Sequence, residues 1–221
     1  MKKKKTPEME EQRLQNTIDF INATQKLIDE VGLESISIRK IADCAGFHNS
    51  TIYLYFENLD ELVMLASIKY FQEYSHELSL LSRSNQTPSE AFIKIWEIFL
   101  ETVMERPNLF FNFFYGKKSD NLTGFMNRYY ELFPEEKEMF SDSIESMYYG
   151  KNIRERSYHL LESIMKEENL VTPQNADMIN DIIVSYCKYK LELKRQDQSL
   201  DSGVLCRECM QVITYLTGVS K

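Results

Sequence analysis

Apolar residues recur three and four apart along almost the whole of this chain, and that period belongs to helices. From Glu8 to Val31, the residues Leu14, Ile18, Ile21, Thr24, Leu27, Ile28 and Val31 form one buried face, and Gly32 ends the pattern. Ile38, Ile41, Ala42 and Ala45 then fall at i, i+3, i+4 and i+7, behind Ser37, which is placed to cap the free N–H groups of a helix start. Gly46 closes that helix, because glycine takes the left-handed conformation at little steric cost. A second short helix follows through Phe56. It turns Ile52, Phe56 and Leu59 inward and crowds His48, Asn49, Ser50 and Thr51 into its first turn beside Tyr53. Two short helices hinged at a glycine make a helix-turn-helix, in which the start of the second helix meets base edges in the DNA groove.

The remaining chain continues in the same period. Asn58 and Glu61 form a capping box that starts a long fourth helix running to about Leu81, and Thr87-Pro88-Ser89-Glu90 opens the next with a cap, an early proline and a capping acid. That fifth helix carries Ala91, Phe92, Ile95, Trp96, Phe99 and Val103 inward and stops at Pro107. The run Leu109 to Gly116 is too aromatic for a surface, and further helical patterns pass through Met126, Tyr129, Tyr130 and Phe133, and through Met139 to Tyr149. Helices are also predicted over Ile153 to Lys166, from Thr172-Pro173 to about Arg195, and from Asp201 with Leu205, Cys209, Val212, Ile213 and Leu216 in one stripe. The expectation is an all-α protein with a basic arm at 1–7, a helix-turn-helix domain at 8–57 and a larger helical domain at 58–221, whose first part, 58–81, is a connecting helix.

Composition changes this picture in a few places. A length of 221 residues suffices for a well-buried core. The apolar clusters are broken by Glu97, Glu101 and Asn112, so no membrane span is expected, and acids follow the Lys2 to Lys5 run where a signal peptide would be apolar. A cytoplasmic protein is expected, with Cys44, Cys187, Cys206 and Cys209 as free thiols at apolar or semi-apolar helical positions. Cys206-x-x-Cys209 has no second cysteine pair and no nearby histidine, so core packing is its expected role. Glu73-x-x-His76 has the spacing of a di-iron helix but no second copy. His48, His76 and His159 have no nucleophile or acid–base partner at a diagnostic spacing, so no enzyme, catalytic residue, metal or cofactor is expected.

The net charge of −8 argues against strong non-specific affinity for nucleic acid, which comes from neutralising phosphates. Residues 1–65 hold eight basic and eleven acidic side chains, but 36–56 hold two basic and one acidic. Recognition would therefore rely on specific contacts and on a dimer, with the lysine arm either following phosphates or entering a minor groove, or serving only as a solubilising tail.

The segment Ala45-Gly46-Phe47-His48-Asn49-Ser50-Thr51-Ile52-Tyr53-Leu54-Tyr55-Phe56, followed by Glu57-Asn58-Leu59-Asp60-Glu61-Leu62, resembles the signature of the TetR family of bacterial transcriptional repressors. The resemblance extends upstream through Ala23, Leu27, Gly32 and Ile41-Ala42, about the first third of the chain. Three features depart from it: Ser50 replaces a frequent glycine, Leu59 a frequent phosphate-contacting lysine, and His48-Asn49 the commoner Ser-Lys type pair. The resemblance implies a homodimeric, ligand-released regulator of operator DNA, paired through its two long C-terminal helices. Asn49 and His48 are then the candidates for base edges, and Ser50, Thr51, Tyr53, Arg39 and Lys40 for phosphates. An inducer site in the larger domain makes Trp96, Phe99, Phe110, Phe114, Met126, Tyr129, Tyr148 and Ile183 candidate ligand contacts, for a neutral pocket taking an apolar or aromatic effector. The rival expectation is a helical protein-binding adaptor without DNA binding.

Overall fold

The computed structural model describes residues 7–219. The basic arm expected at 1–7 lies outside them but for Pro7. Among the described residues the chain is helical throughout, and no helix is long and apolar enough to cross a membrane. It divides into two compact units. One ends at Lys69 and includes Phe125–Glu135; the other comprises Tyr70–Gly124 and the chain from Glu136 onward. The division at 69/70 falls twelve residues beyond the 57/58 boundary read from the sequence, and the return of Phe125–Glu135 to the first unit has no sequence signal.

In the first unit, α1 (Pro7–Val31) packs against α2 (Ile38–Ala45) and α3 (Leu59–Ser67). Phe20 is wholly buried at the centre, with ring centroids 4.7 Å from Phe47, 5.5 Å from Tyr55 and 6.0 Å from Phe56. Such ring contacts add to the burial of apolar area itself. The buried side of α1 is Phe20, Ile21, Ala23, Thr24, Leu27 and Ile28; Leu14 and Val31, expected in that stripe, are exposed. Leu14 lies in the first turns, where all of residues 7–15 face solvent, and Val31 is the last helical residue before Gly32.

The long fourth helix is interrupted. Asn58 caps α3 by accepting from Glu61 N–H at 3.0 Å, but a 3-10 turn at Ile68–Phe71 separates it from α4 (Gln72–Ser82). In the second unit the Thr87/Glu90 capping box opens α5 (Pro88–Glu105) as expected. It is followed by α6 (Pro107–Tyr115), by α7 (Leu122–Leu132), most of which belongs to the first unit, and by α8 (Asp142–Tyr148). Last come α9 (Ile153–Ile164), α10 (Ala176–Gln196) and α11 (Ser202–Thr217), with α5 packed against both α9 and α11. Helix α10 starts later than Thr172-Pro173 because Asn175 first closes a turn, its carboxamide oxygen accepting from Thr172 N–H at 2.7 Å.

Cys187 and Cys209 are buried between helices, whereas Cys44, expected at an apolar position, is exposed. The Cys209 thiol and burial together push the Cys187 thiol up, and burial pushes Cys206 up to about 11, so both remain neutral at ordinary pH and pack as small apolar groups. His76 pairs with Glu138 at 3.0 Å, not with Glu73, and no cluster of side chains among the described residues could hold a metal ion.

Candidate functional site

The turn between α2 and the next segment is built as the sequence implies. Ser37 Oγ accepts from Lys40 N–H at 3.3 Å at the start of α2, and Gly46 closes its end at φ 77° with its N–H returned to Asp43. That positive φ favours glycine over any L-residue with a side chain. The second segment differs from expectation: it is a six-residue 3-10 turn, Asn49–Leu54, and not an α-helix. Its i→i+3 bonds, Thr51 N–H to His48 carbonyl at 2.9 Å and Tyr55 N–H to Ile52 carbonyl at 3.0 Å, give a tighter rod that suits only short runs. Ile52 and Phe56 anchor it in the core, 2% and 3% exposed.

Of the polar side chains expected at this turn, those of His48 and Ser50 are exposed. Asn49 and Tyr53 are exposed and Thr51 is half-buried, and the side chain of Asn49 makes no hydrogen bond among the described residues. His48 serves also as the cap, its Nδ1 accepting from Ser50 N–H at 3.3 Å and lying 2.8 Å from Ser50 Oγ. An Nδ1 that accepts leaves the proton of the neutral ring on Nε2, so His48 presents a donor outward. Ser50 is thereby partly spent on His48. Arg39 is exposed and only loosely paired with Asp43 at 3.8 Å, and the Lys40 ammonium donates to Ser35 carbonyl at 2.7 Å with two further protons to offer.

Three side chains that sequence reasoning missed hold this turn in place. From α1, Arg13 donates to Leu54 carbonyl and Asn16 to Tyr55 hydroxyl, each at 2.7 Å. From α7, Arg128 donates to the Glu61 carboxylate and, at 3.1 Å, to Tyr55 carbonyl, with its guanidinium 5.4 Å from the centre of the Phe56 ring. In sequence Arg128 is one charge on an amphipathic helix about seventy residues away, and no local pattern marks it.

The second unit contains the other candidate region. Trp96, Phe99, Phe110, Phe114 and Tyr148 are joined into one aromatic cluster by Phe71 and Tyr74, with centroids 4.8 to 6.3 Å apart along the chain of rings. Met126 and Tyr129 fall in the first unit, and Ile183 is core on α10. Beside the cluster lies a small cavity with room for about one water molecule. Its walls are Ile95, Phe99, Met147, Ile153 and Leu160, with Tyr74, Trp96, Arg156 and Ser157 as polar members. The neutral pocket expected from the sequence differs from this cavity, which has a buried cation in its wall. Arg156 is 2% exposed, donates to Tyr148 carbonyl and stands 5.2 to 5.8 Å from the centres of Phe71, Phe114 and Tyr148. In sequence it looks like one more charge in Arg154-Glu155-Arg156. Burial pushes the Tyr74 phenol up, with the positive Arg156 pulling the other way.

The sequence profile described as "Bacterial regulatory proteins, tetR family" matches residues 20–64, the segment from the Phe20 anchor into α3. No curated protein matches the chain. Among solved structures it is similar to RolR in complex with resorcinol, at 15% identity over 95% of this chain and 91% of that one, with a TM-score of 0.62. It is similar to FadR from Bacillus subtilis in complex with stearoyl-CoA, at 16% identity over 90% and 98% with a TM-score of 0.56. It is also similar to SmeT, the repressor of the Stenotrophomonas maltophilia efflux pump SmeDEF, at 13% identity over 93% of both chains with a TM-score of 0.56. At these identities the likeness establishes the shared fold.

Proposed function

We propose that this chain, whose residues 20–64 match the profile of the tetR family of bacterial regulatory proteins, is a homodimeric repressor of that family that binds a specific operator and releases it on binding a small molecule. Regulators of this family are non-enzymatic DNA-binding proteins, typically dimeric and ligand-responsive. The observation that carries the proposal is the Asn49–Leu54 turn, fixed in the core by Ile52 and Phe56 while His48, Asn49 and Tyr53 face outward. Asn49 reads a base edge, since a carboxamide can pair bidentately with adenine; His48 donates to a base or phosphate; Thr51, Tyr53, Arg39 and Lys40 set the register on the backbone, with Ser50 supporting His48.

Anisotropy titration of DNA from immediately upstream of the protein's own gene, against scrambled DNA over a salt series, tests the reading. Preferential binding with log K falling linearly in log salt is expected. Absence of binding to any DNA at low salt would favour the adaptor reading instead. Asn49→Ala is expected to relax the preference at one base pair by roughly 1 to 2 kcal/mol while leaving the salt slope unchanged. An unchanged sequence preference in a panel of single-base operator variants would remove Asn49 from the base-reading set.

A six-residue reading turn engages few bases, so two copies a helical turn apart supply the specificity. The C-terminal helices offer the surface for pairing. Met178, Ile182 and Tyr189 on α10 and Val204 and Tyr215 on α11 are exposed, and Ile182, Tyr186, Val212, Tyr215 and Leu216 border a shared groove. Glu208 and Gln211 complete its lining, and exposed large apolar side chains gathered beside a few polar ones suit an interaction face. The double substitution of Ile182 and Tyr215 by glutamate is expected to raise the dimer dissociation constant at least tenfold, about 1.4 kcal/mol, measured by sedimentation equilibrium. An unchanged constant would place the dimer contact elsewhere.

A further inference from the structure

The ligand-responsive reading leaves the effector's chemistry open, and the cavity beside α5 and α9 narrows it. Three donors stand in its wall: Arg156, Trp96 and Ser157. Trp96 Nε1 and Ser157 Oγ are each buried with no hydrogen-bond partner among the described residues, and both residues are 2% exposed. The indole N–H and the guanidinium only donate, and a serine hydroxyl donates readily. A buried donor without an acceptor costs stability, so such groups persist in native proteins where something else satisfies them. Among the described residues no aspartate or glutamate lines the cavity, and apart from the Tyr74 hydroxyl the remaining walls are apolar.

We propose that this cavity is the headgroup site of the effector, and that the effector is a compact organic acid whose carboxylate meets Arg156, Trp96 Nε1 and Ser157 Oγ while its apolar body lies among Phe99, Met147 and Leu160. The proposal rests on the ligand-released reading above. A carboxylate brings two oxygens with about four lone-pair positions, enough for all three donors, and a charge opposite to that of Arg156. An inorganic anion offers the same oxygens but no apolar surface to bury against these walls, so phosphate and sulfate are disfavoured. With room at present for about one water molecule, the cavity admits an aromatic or short aliphatic body only when the aromatic packing around Trp96 and Phe99 opens. That requirement supplies what a switch needs, a ligand that binds one arrangement better than the other.

The chain has a single tryptophan, and it is Trp96, so intrinsic fluorescence reports directly on the site. Full-length protein is titrated with benzoate and octanoate and with their neutral isosteres benzamide and octanamide, by fluorescence and by calorimetry. The acids are expected to bind at least tenfold more tightly than the amides and to shift the Trp96 emission. Arg156→Met is expected to abolish that preference. Because Arg156 also holds the end of α8 through Tyr148 carbonyl, Ser157→Ala provides a milder variant, expected to weaken the acid severalfold and leave the amide unchanged. Equal affinity for acid and amide, or no response to either acid at millimolar concentration, overturns the proposal. The same acids are added to the operator complex: acid binding that leaves the DNA bound sinks the ligand-released reading alone, and the headgroup site stands.

Discussion

Replacing Phe20 with alanine is expected to abolish DNA binding while leaving the second unit folded. The ring is wholly buried and meets three others, those of Phe47, Tyr55 and Phe56, which flank both ends of the Asn49–Leu54 turn. A Phe→Ala change at such a site removes about 3 to 5 kcal/mol through lost transfer energy and the cavity left behind. A unit of about 80 residues is stabilised by only about 4 to 12 kcal/mol, so the loss is a large part of the total. Thermal unfolding followed by circular dichroism should split into two transitions, with the reading head melting early. Anisotropy should show no preference for operator over scrambled DNA. Phe20→Leu, which keeps most of the volume, should restore much of both. A single transition at the wild-type temperature, with operator binding intact, would show that the turn is held by something other than this ring.

Loss of Arg128 is expected to have the next largest effect. Its guanidinium ties α7 to the reading head at three points: the Glu61 carboxylate, the Tyr55 carbonyl and the Phe56 ring. The Glu61 side chain is only 16% exposed, and it also accepts from Glu57 N–H, so removing Arg128 strands a half-buried charge beside the turn. For a fully buried pair the cost reaches about 3 to 5 kcal/mol; the Arg128 side chain is 36% exposed, and solvent screening brings the expected cost to roughly 2 kcal/mol. Arg128→Ala should weaken operator binding at least tenfold and accelerate amide exchange across Tyr55 to Glu61. Arg128→Lys should rescue it poorly, because an ammonium cannot reproduce the fork that reaches carboxylate and carbonyl together. A double-mutant cycle with Glu61→Gln isolates the pair, and additive effects there would show that the two residues do not act together.

Arg128 and Arg156 mark the limit of what local sequence conveys. Each sits on an amphipathic helix among other charges, where arginine is ordinarily a solvated residue, and each is tied into the structure only because the fold carries it to distant partners. The same applies to Phe71, which joins the aromatic cluster although it lies in a break between helices. The break itself was not legible, since a capped apolar period from Asn58 to Leu81 reads as one helix whether or not a 3-10 turn interrupts it. The same holds for Asn49–Leu54: polar and apolar residues alternate compatibly with either helix, and six residues with His48 as their cap favour the tighter one.

What the sequence determined by itself is set by short-range physics. The helix period, the caps at Ser37, Asn58, Thr87 and Asp201, and the left-handed glycine at Gly46 are decided within a few residues by backbone sterics and local hydrogen bonds, so they are visible in the chain alone. Tertiary structure alone decided which charges are buried, which aromatic rings share one cluster, and that Phe125–Glu135 joins the reading head. Those outcomes depend on pairings between residues tens of positions apart, and a side chain's charge or ring carries no local mark of the partner that long-range packing will bring to it.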